Sequence, residues 1–164
     1  MDEEKDRFNE AFNYSIKLLS GKDYSIYKMK TKLSQRNFNN DEIERVIAKL
    51  LDYKYLREDD YMKMSIKQLL VKGYANQYII RKLALEDLFP TDSDIELIRS
   101  EQGLGSTQQI DYLIEKKLRS KEIPYEIEAK MKLKKKILSF LISKGYQFEQ
   151  AGGRLDRFLE NRSL

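Results

Sequence analysis

The sequence predicts an all-α protein, built as an elongated tandem array of three-helix repeats. Three observations support this prediction. Apolar residues recur at spacings of three and four along almost the whole chain, which is the period of an amphipathic helix. The 164 residues include only two Pro and seven Gly, too few for the closely spaced turns that strands require. Segments of similar pattern also recur along the chain, which indicates repeated units.

The first unit is predicted to contain three helices. The first helix is expected to stop at Gly21. The third begins at Asn39, and Glu42 three residues later completes a pattern that resembles a capping box. The apolar positions of the three helices are Phe8, Phe12, Ile16 and Leu19; Ile26, Met29 and Leu33; and Ile43, Val46, Ile47, Leu50 and Leu51.

The second unit is predicted to contain the next three helices. The fourth helix begins near Glu58 and ends at Gly73, and the sixth follows Pro90 with Thr91 or Asp92 as its cap. The apolar positions are Met62, Ile66, Leu69 and Leu70; Ile79, Ile80 and Leu83; and Ile95 and Ile98.

The third unit completes the array. The seventh helix is opened by Ser106 or Thr107, residues 121–126 form a connection that contains a proline, and the eighth helix ends at Gly145. Two adjacent glycines predict a less regular ninth helix. The apolar positions are Ile110, Leu113, Ile114 and Leu118; Met131, Leu138, Leu141 and Ile142; and Phe148, Ala151, Leu155, Phe158 and Leu159.

Three short segments align with one another and define the repeat. They are residues 32–38, 82–88 and 140–146, and in each an apolar residue follows a Leu by five positions: Phe38, Leu88 and Tyr146. The predicted repeats are residues 1–54, 55–103 and 104–164. Units of this size bury little core alone, so neighbours are expected to pack end to end. One irregular helical bundle is the alternative.

Composition argues against several classes of protein. The chain has no Cys and no His, which removes disulfides, thiolate nucleophiles, most transition-metal sites and the commonest general base. We therefore expect neither an enzyme nor a cofactor. No apolar run approaches the ~20 residues that span a bilayer. The acidic start at Met1-Asp2-Glu3-Glu4 does not resemble a signal peptide, so a cytoplasmic location is expected.

Charge is segregated along the chain although the net charge is only +4. Residues 14–40 contain six basic residues and one acidic residue, and residues 61–85 contain five basic residues and no acidic one. By contrast, residues 41–60 and 86–101 are acidic. Basic faces on a repeat protein favour an anionic partner, either nucleic acid or an acidic protein groove. A solvated helix surface is the alternative for any single lysine.

Other motifs carry weaker signals. Gly103-Leu104-Gly105 lacks the lysine of a phosphate-binding loop and is interpreted as a linker. The acidic run Glu58-Asp59-Asp60 is interpreted as favouring a helix N-terminus over binding a metal. The lysines between residues 130 and 136 suit either phosphate contacts or a solvated face. The eleven tyrosines are interpreted as core or interface residues.

The centre of the chain resembles the RecX family. Its motifs, in order, are Tyr55-Leu56-Arg57-Glu58-Asp59-Asp60-Tyr61, then Lys72-Gly73-Tyr74, then Ile79 and Leu83. The final Lys144-Gly145-Tyr146 and the short helix after it also fit, and the resemblance extends from about residue 8 to residue 160. No single motif is specific to this family, but the ordered set of motifs is.

This resemblance implies a regulator of the RecA recombinase, and therefore a role in homologous recombination, DNA repair and the SOS response. Family members are elongated three-helix repeats that bind the groove of the RecA–DNA filament, depress ATP hydrolysis and strand exchange, and limit filament growth. Some also bind single- or double-stranded DNA. We expect a monomer that does not contact membranes. A RecA-independent helical nucleic-acid-binding protein or a scaffold is the alternative.

Two sets of residues follow from charge and resemblance together. The expected partner-binding residues are Lys28, Lys32, Arg36, Lys63, Lys67, Lys72, Arg81, Lys82, Lys132 and Lys135. The expected structural-motif residues are Tyr55, Leu56, Tyr61, Gly73, Tyr74, Ile79, Leu83, Gly145 and Tyr146. No catalytic, cofactor-binding or metal-binding residue is predicted.

Overall fold

A computed structural model of the protein describes residues 2–119 and 123–161. Within these ranges the chain forms nine helices and no strand, so the all-α prediction is confirmed. The helices are α1 (Asp2–Leu19), α2 (Ile26–Ser34), α3 (Asn40–Asp52), α4 (Glu58–Val71), α5 (Asn76–Ala84), α6 (Asp92–Glu101), α7 (Ser106–Leu118), α8 (Ile127–Ser143) and α9 (Phe148–Asn161).

By its internal contacts the chain divides into two compact units. The first unit comprises Met1–Ser65 together with Leu83–Leu88. The second comprises Ile66–Lys82 together with Phe89–Leu164. Helices α1 to α3 therefore belong to the first unit and α6 to α9 to the second, while α4 and α5 each contribute residues to both.

The core of the first unit lies where α1, α2 and α3 pack together. Its buried members are Ala11, Tyr24, Met29, Leu33, Phe38, Ile43, Val46, Ile47, Leu50 and Leu56. One predicted core position is wrong, because Leu51 is 40% exposed whereas Leu50 beside it is fully buried. Successive helical residues point about 100° apart, so only one of this adjacent pair faces α1 and α2.

The core of the second unit is formed by α7, α8 and α9. Its buried members are Ile110, Leu113, Ile114, Leu118, Ile137, Leu141, Tyr146, Ala151, Leu155 and Leu159. Here the predicted apolar stripe of α8 is partly wrong: Met131 and Ile142 are exposed, and Ile137 is buried instead. Phe148, predicted to lie on the α9 stripe, is also exposed.

Capping boxes fix the start of two helices, α3 and α6. The Asn39 side chain accepts a hydrogen bond from the Glu42 amide at 2.9 Å, and the Glu42 carboxylate accepts from the Asn39 amide at 2.8 Å. This is the capping box that the sequence predicted for α3. Thr91 and Asp94 form the same arrangement at α6. At α7 the cap is Gly105 and makes no side-chain bond, so Ser106 is the first helical residue.

One turn geometry explains the repeated sequence segments. Asn37, Asp87 and Gly145 all have positive φ, at 61°, 57° and 91°. The amide of the next residue then donates to a carbonyl five residues back: Phe38 to Leu33 at 3.4 Å, Leu88 to Leu83 at 3.1 Å, and Tyr146 to Leu141 at 3.2 Å. This is the bond of a Schellman turn, which pairs a left-handed residue with an apolar residue after it.

The remaining connections are short. Of the connection predicted over residues 121–126, residues 123–126 are not helical and the first two residues lie outside the described ranges. The ninth helix continues through Gly152 and Gly153, although the sequence predicted a less regular segment there. A helical glycine pair of this kind is tolerated when neighbouring apolar residues, here Ala151 and Leu155, are buried.

Candidate partner-binding surface

Lys28 is the most constrained of the predicted partner-binding residues. Its ammonium lies 2.6 Å from Glu86 Oε1 and donates to the Tyr61 hydroxyl at 2.7 Å. That hydroxyl donates in turn to Glu86 Oε2 at 2.9 Å, and the Ser25 hydroxyl donates to the same oxygen at 3.1 Å. All four residues belong to the first unit, so Lys28 helps to hold α2, the start of α4 and the turn after α5 together.

The ionisation of this network follows from its contacts. Burial raises the pKa of Glu86, but hydrogen bonds from Lys28 and Tyr61 outweigh burial and leave the pKa below its usual value of 4.5. For Lys28, burial lowers the pKa, but the contacts with Glu86 and Tyr61 outweigh burial. The pKa of Lys28 therefore lies above its usual value of 10.5. Both groups are therefore charged across the physiological range and stabilise each other.

The other predicted cations of the first unit are more accessible. The Arg36 guanidinium lies over the Tyr14 ring, 4.4 Å from its centroid, and Lys63 is exposed on α4. Lys32 is half-buried and lies 3.5 Å from Gln35 Oε1. Within the described residues none of these three cations has a carboxylate within 4.0 Å, so their charges are available to a partner.

The predicted cations of the second unit include four on α4, α5 and the turn between them. Lys72, Arg81 and Lys82 are exposed, and Lys67 is half-buried. The Arg81 Nε donates to the Gln77 carbonyl at 3.1 Å, which fixes its direction along α5.

Helix α8 carries the last two predicted cations. Lys132 pairs with Glu128 at 2.8 Å, one turn earlier on the same helix. Lys135 is exposed and has no carboxylate neighbour in the described part of the chain. Because Lys132 and Glu128 are both about three-quarters exposed, water screens their attraction and the pair adds little to stability.

A buried polar network lies elsewhere in the second unit. Arg99 is 4% exposed; it donates to Gln109 Oε1 at 2.5 Å, to Asn76 Oδ1 at 2.6 Å and to Glu96 Oε1 at 3.2 Å. Gln109 donates to the Leu70 carbonyl. Sequence spacing alone does not reveal this network, because its side chains come from α5, α6 and α7, its acceptor carbonyl comes from α4, and folding brings them together.

The motif residues that carry the family resemblance have structural roles. Leu56, Ile79 and Leu83 are buried, Tyr61 joins the Lys28 network, and Tyr146 closes a turn. Gly73 and Gly145 have positive φ, and the rings of Tyr74 and Tyr78 stack with centroids 4.1 Å apart. Tyr55 is half exposed and packs edge-on against Tyr53.

Two further motifs, an acidic run and a glycine loop, lie within residues 2–119 and 123–161. These residues contain no group of three or more His, Cys, Asp or Glu placed to hold a metal ion. In the acidic run at the start of α4, Glu58 accepts a hydrogen bond from the Ile26 amide at 3.0 Å. Gly103 has a φ of 64° and forms the connection between α6 and α7. In the same part of the chain no helix is both long enough and apolar enough to cross a bilayer.

The amino-acid sequence is similar to those of known proteins. Residues 11–50 match the family model of the first three-helix domain of RecX. The chain is 27% identical over 141 residues to Regulatory protein RecX of Haemophilus influenzae strain PittEE, covering 85% of this chain and 89% of that one. It is 29% identical over 165 residues to Regulatory protein RecX of Clostridium perfringens strain 13, covering 98% of this chain and 74% of the relative.

Solved structures show the same fold. The crystal structure of RecX from Lactobacillus salivarius superposes with a TM-score of 0.68 at 18% identity, covering 93% of this chain and 97% of that one. A second crystal structure, of regulatory protein RecX, gives a TM-score of 0.67 at 15% identity and covers 90% of this chain and 70% of the other. The fold and its turns thus define an all-α helical-repeat protein. In sequence the chain is similar, over 85–98% of its length, to proteins named Regulatory protein RecX.

Proposed function

We propose that this protein regulates the RecA recombinase, mainly as an inhibitor. It binds in the helical groove of the RecA–DNA filament and limits ATP hydrolysis, strand exchange and filament growth. The observation that carries the proposal is the relationship to proteins named Regulatory protein RecX, which extends over 85–98% of the chain. RecA as the regulated partner follows from the resemblance of the ordered central motifs to the RecX family.

The proposed mechanism is binding without chemistry. Exposed cations attract the anionic groups of a nucleoprotein filament and form charge-assisted hydrogen bonds with them. The residues proposed for this role are Lys28, Lys32, Arg36, Lys63, Lys67, Lys72, Arg81, Lys82, Lys132 and Lys135. Each exposed contact contributes only ~0.2–1 kcal/mol, so several must act together. Lys28 would bring its charge to the partner while it stays paired with Glu86.

The form in which the protein acts is part of the proposal. We propose a cytoplasmic monomer that is not an enzyme, arranged along the chain as repeats 1–54, 55–103 and 104–164. Weak binding to single- or double-stranded DNA accompanies the main interaction. Sedimentation of the purified chain at micromolar concentration tests the monomer directly.

The deciding experiment is RecA ATP hydrolysis on single-stranded DNA while this protein is titrated below one copy per RecA. Inhibition at such ratios, too low to coat the DNA, supports filament binding. Binding to the same DNA without RecA is measured in parallel. If hydrolysis falls only when free DNA is saturated, the protein is a nucleic-acid-binding protein that acts independently of RecA. If neither effect occurs, it is a scaffold for another assembly.

A further inference from the structure

A groove of about 550 Å³ lies on the surface of the first unit. Its walls come from the last turns of α1, from the connection between α1 and α2, and from the turn that follows α2. No acidic residue is among those that line it.

Three cations converge on this groove without an anionic partner. They are Lys17, Lys22 and Arg36, and within the described ranges none lies within 4.0 Å of a carboxylate. Other cations of the same unit are paired: Arg7 with Glu42 at 2.7 Å, Lys28 with Glu86 at 2.6 Å, and Lys30 with Glu44 at 2.6 Å. The nearest acidic residue in sequence, Asp23, is exposed and does not line the groove. The groove therefore concentrates uncompensated positive charge.

The floor between these cations is largely apolar. Leu18 is half-buried, and the rings of Tyr14 and Tyr24 form the sides. A cation lies over each of these rings. The Arg36 guanidinium is 4.4 Å from the Tyr14 ring centroid, and the Lys22 ammonium is 5.0 Å from the Tyr24 ring centroid. The groove thus joins an apolar surface with a rim of positive charge.

This lining favours a protein segment over nucleic acid. Single-stranded nucleic acid binds where bases stack on open aromatic faces. Here Tyr24 is only 6% exposed, and the Arg36 guanidinium covers a face of Tyr14. A carboxylate does not have to stack on an aromatic ring in order to bind. An arginine can hold a carboxylate with two parallel hydrogen bonds.

We propose that this groove binds an acidic protein segment that carries an apolar anchor. Aspartate or glutamate side chains of the segment pair with Lys17, Lys22 and Arg36, and an apolar side chain packs on Leu18 between them. The inference does not rest on RecA being the partner, because it follows from the charges and shape of the groove alone.

The test uses a fluorescein-labelled peptide of twelve residues that contains six acidic residues, one Phe and one Leu. A labelled oligodeoxythymidine of equal charge is the nucleic-acid comparison. Binding to the full chain is measured by fluorescence anisotropy at low and at physiological salt. The groove variant is Lys17→Glu, Lys22→Glu and Arg36→Glu combined. The matched control reverses three exposed cations of the second unit: Lys116→Glu, Arg119→Glu and Arg157→Glu.

A steric variant separates binding in the groove from general attraction of charges. Gly21 lines the groove, its φ is not positive, and an added Cβ would meet only the Leu18 carbonyl oxygen at 3.6 Å. Gly21→Phe therefore adds a ring at the groove while every charge is kept. Thermal unfolding of each variant shows whether its fold is intact.

We expect the groove variant to weaken peptide binding at least about tenfold, which corresponds to about 1.4 kcal/mol. The control should change it less than about twofold, and Gly21→Phe should weaken it while leaving oligodeoxythymidine binding unchanged. Three results overturn the proposal: no peptide binding by the unaltered protein, equal loss in both triple variants, or tighter binding of oligodeoxythymidine that depends on the groove cations. The last result would identify a nucleic-acid site. If Gly21→Phe does not fold, the two triple variants decide.

Discussion

The ammonium of Lys28, in the first turn of α2, lies 2.6 Å from the carboxylate of Glu86 in the turn after α5. The Tyr61 hydroxyl bridges them, accepting a hydrogen bond from Lys28 and donating one to Glu86. Glu86 is 16% exposed, whereas Lys28 is 45% exposed. Loss of one partner therefore leaves Glu86 shielded from water and short of hydrogen bonds, which costs more than the loss of an exposed ion pair.

Replacing Glu86 with glutamine should lower the free energy of unfolding at pH 7 by about 1–2 kcal/mol, because a charged acceptor of several hydrogen bonds is lost. The pKa of Glu86 is below 4.5 in the folded protein, so its contribution is present above that value and disappears as the pH falls through the folded pKa. The variant should therefore lose less stability than the unaltered protein between pH 6 and pH 3.

Urea unfolding at several pH values between 3 and 7 measures this difference. Glu42 and Asp94 also have lowered pKa values, so the unaltered protein loses stability in acid for more than one reason, and only the difference between variants reports on Glu86. Glu149→Gln, at an exposed position in the first turn of α9, is the control. Parallel pH profiles for Glu86→Gln and the unaltered protein would contradict the assignment.

The capping box of α3 gives a second prediction. Asn39→Ala removes the acceptor that holds the Glu42 amide at 2.9 Å and should destabilise the protein by about 1 kcal/mol. Asn39→Asp retains an acceptor at the same place and should cost much less. Thermal and urea unfolding compare the three proteins. If alanine and aspartate have equal effects, the cap does not contribute to stability.

Two glycines should respond to alanine in opposite directions. Gly145 has a φ of 91°, and an added Cβ would lie 2.6 Å from the Cβ of Tyr78, so Gly145→Ala should destabilise by more than about 2 kcal/mol. Gly152 lies within α9, and an added Cβ would meet nothing within 4 Å. Gly152→Ala should therefore stabilise by about 0.5–1 kcal/mol through helix propensity. Urea unfolding tests both, and a destabilising Gly152→Ala would contradict this view of α9.

Much of the fold could be predicted because its signals are local. Apolar spacing indicated the helices, and the recurring apolar residue five positions after a leucine proved to mark a Schellman turn. At Gly145 the left-handed position carries glycine, the commonest residue there, whereas Asn37 and Asp87 tolerate this conformation but also occur in many other settings, which made their turns harder to see in the sequence. The division into repeats 1–54, 55–103 and 104–164 stays a prediction.

The phase of α8 could not be predicted from its sequence. Apolar residues occur on two neighbouring stripes of this helix, so Met131 and Leu138 fitted the helical period as well as Ile137 and Leu141 did. Which stripe is buried depends on the position of α7 and α9, and Met131 remains 66% exposed. Spacing alone cannot resolve such a choice.

The pairing of charges was equally hidden. The sequence showed that residues 14–40 are basic, but not that Lys28 is held by Glu86 while Arg36 has no carboxylate partner in the described residues. Lys17 and Lys22 were not predicted as binding residues, and they became candidates only when folding placed them beside Arg36 in one groove. Contacts between residues distant in sequence have no local signal.

The final prediction concerns RecA. Combined reversal of Lys63, Lys67 and Lys72 to glutamate should weaken inhibition of RecA ATP hydrolysis at least about tenfold, since three contacts of ~0.2–1 kcal/mol each are lost and replaced by repulsion. The measurement is the concentration that halves hydrolysis at a fixed ratio of RecA to single-stranded DNA. The combined Lys116→Glu, Arg119→Glu and Arg157→Glu variant carries the same change in net charge and should inhibit nearly as well as the unaltered protein. A folded Lys63, Lys67 and Lys72 variant that inhibits fully would exclude these residues as the contact site, and equal loss in both variants would show that net charge acts rather than a defined surface.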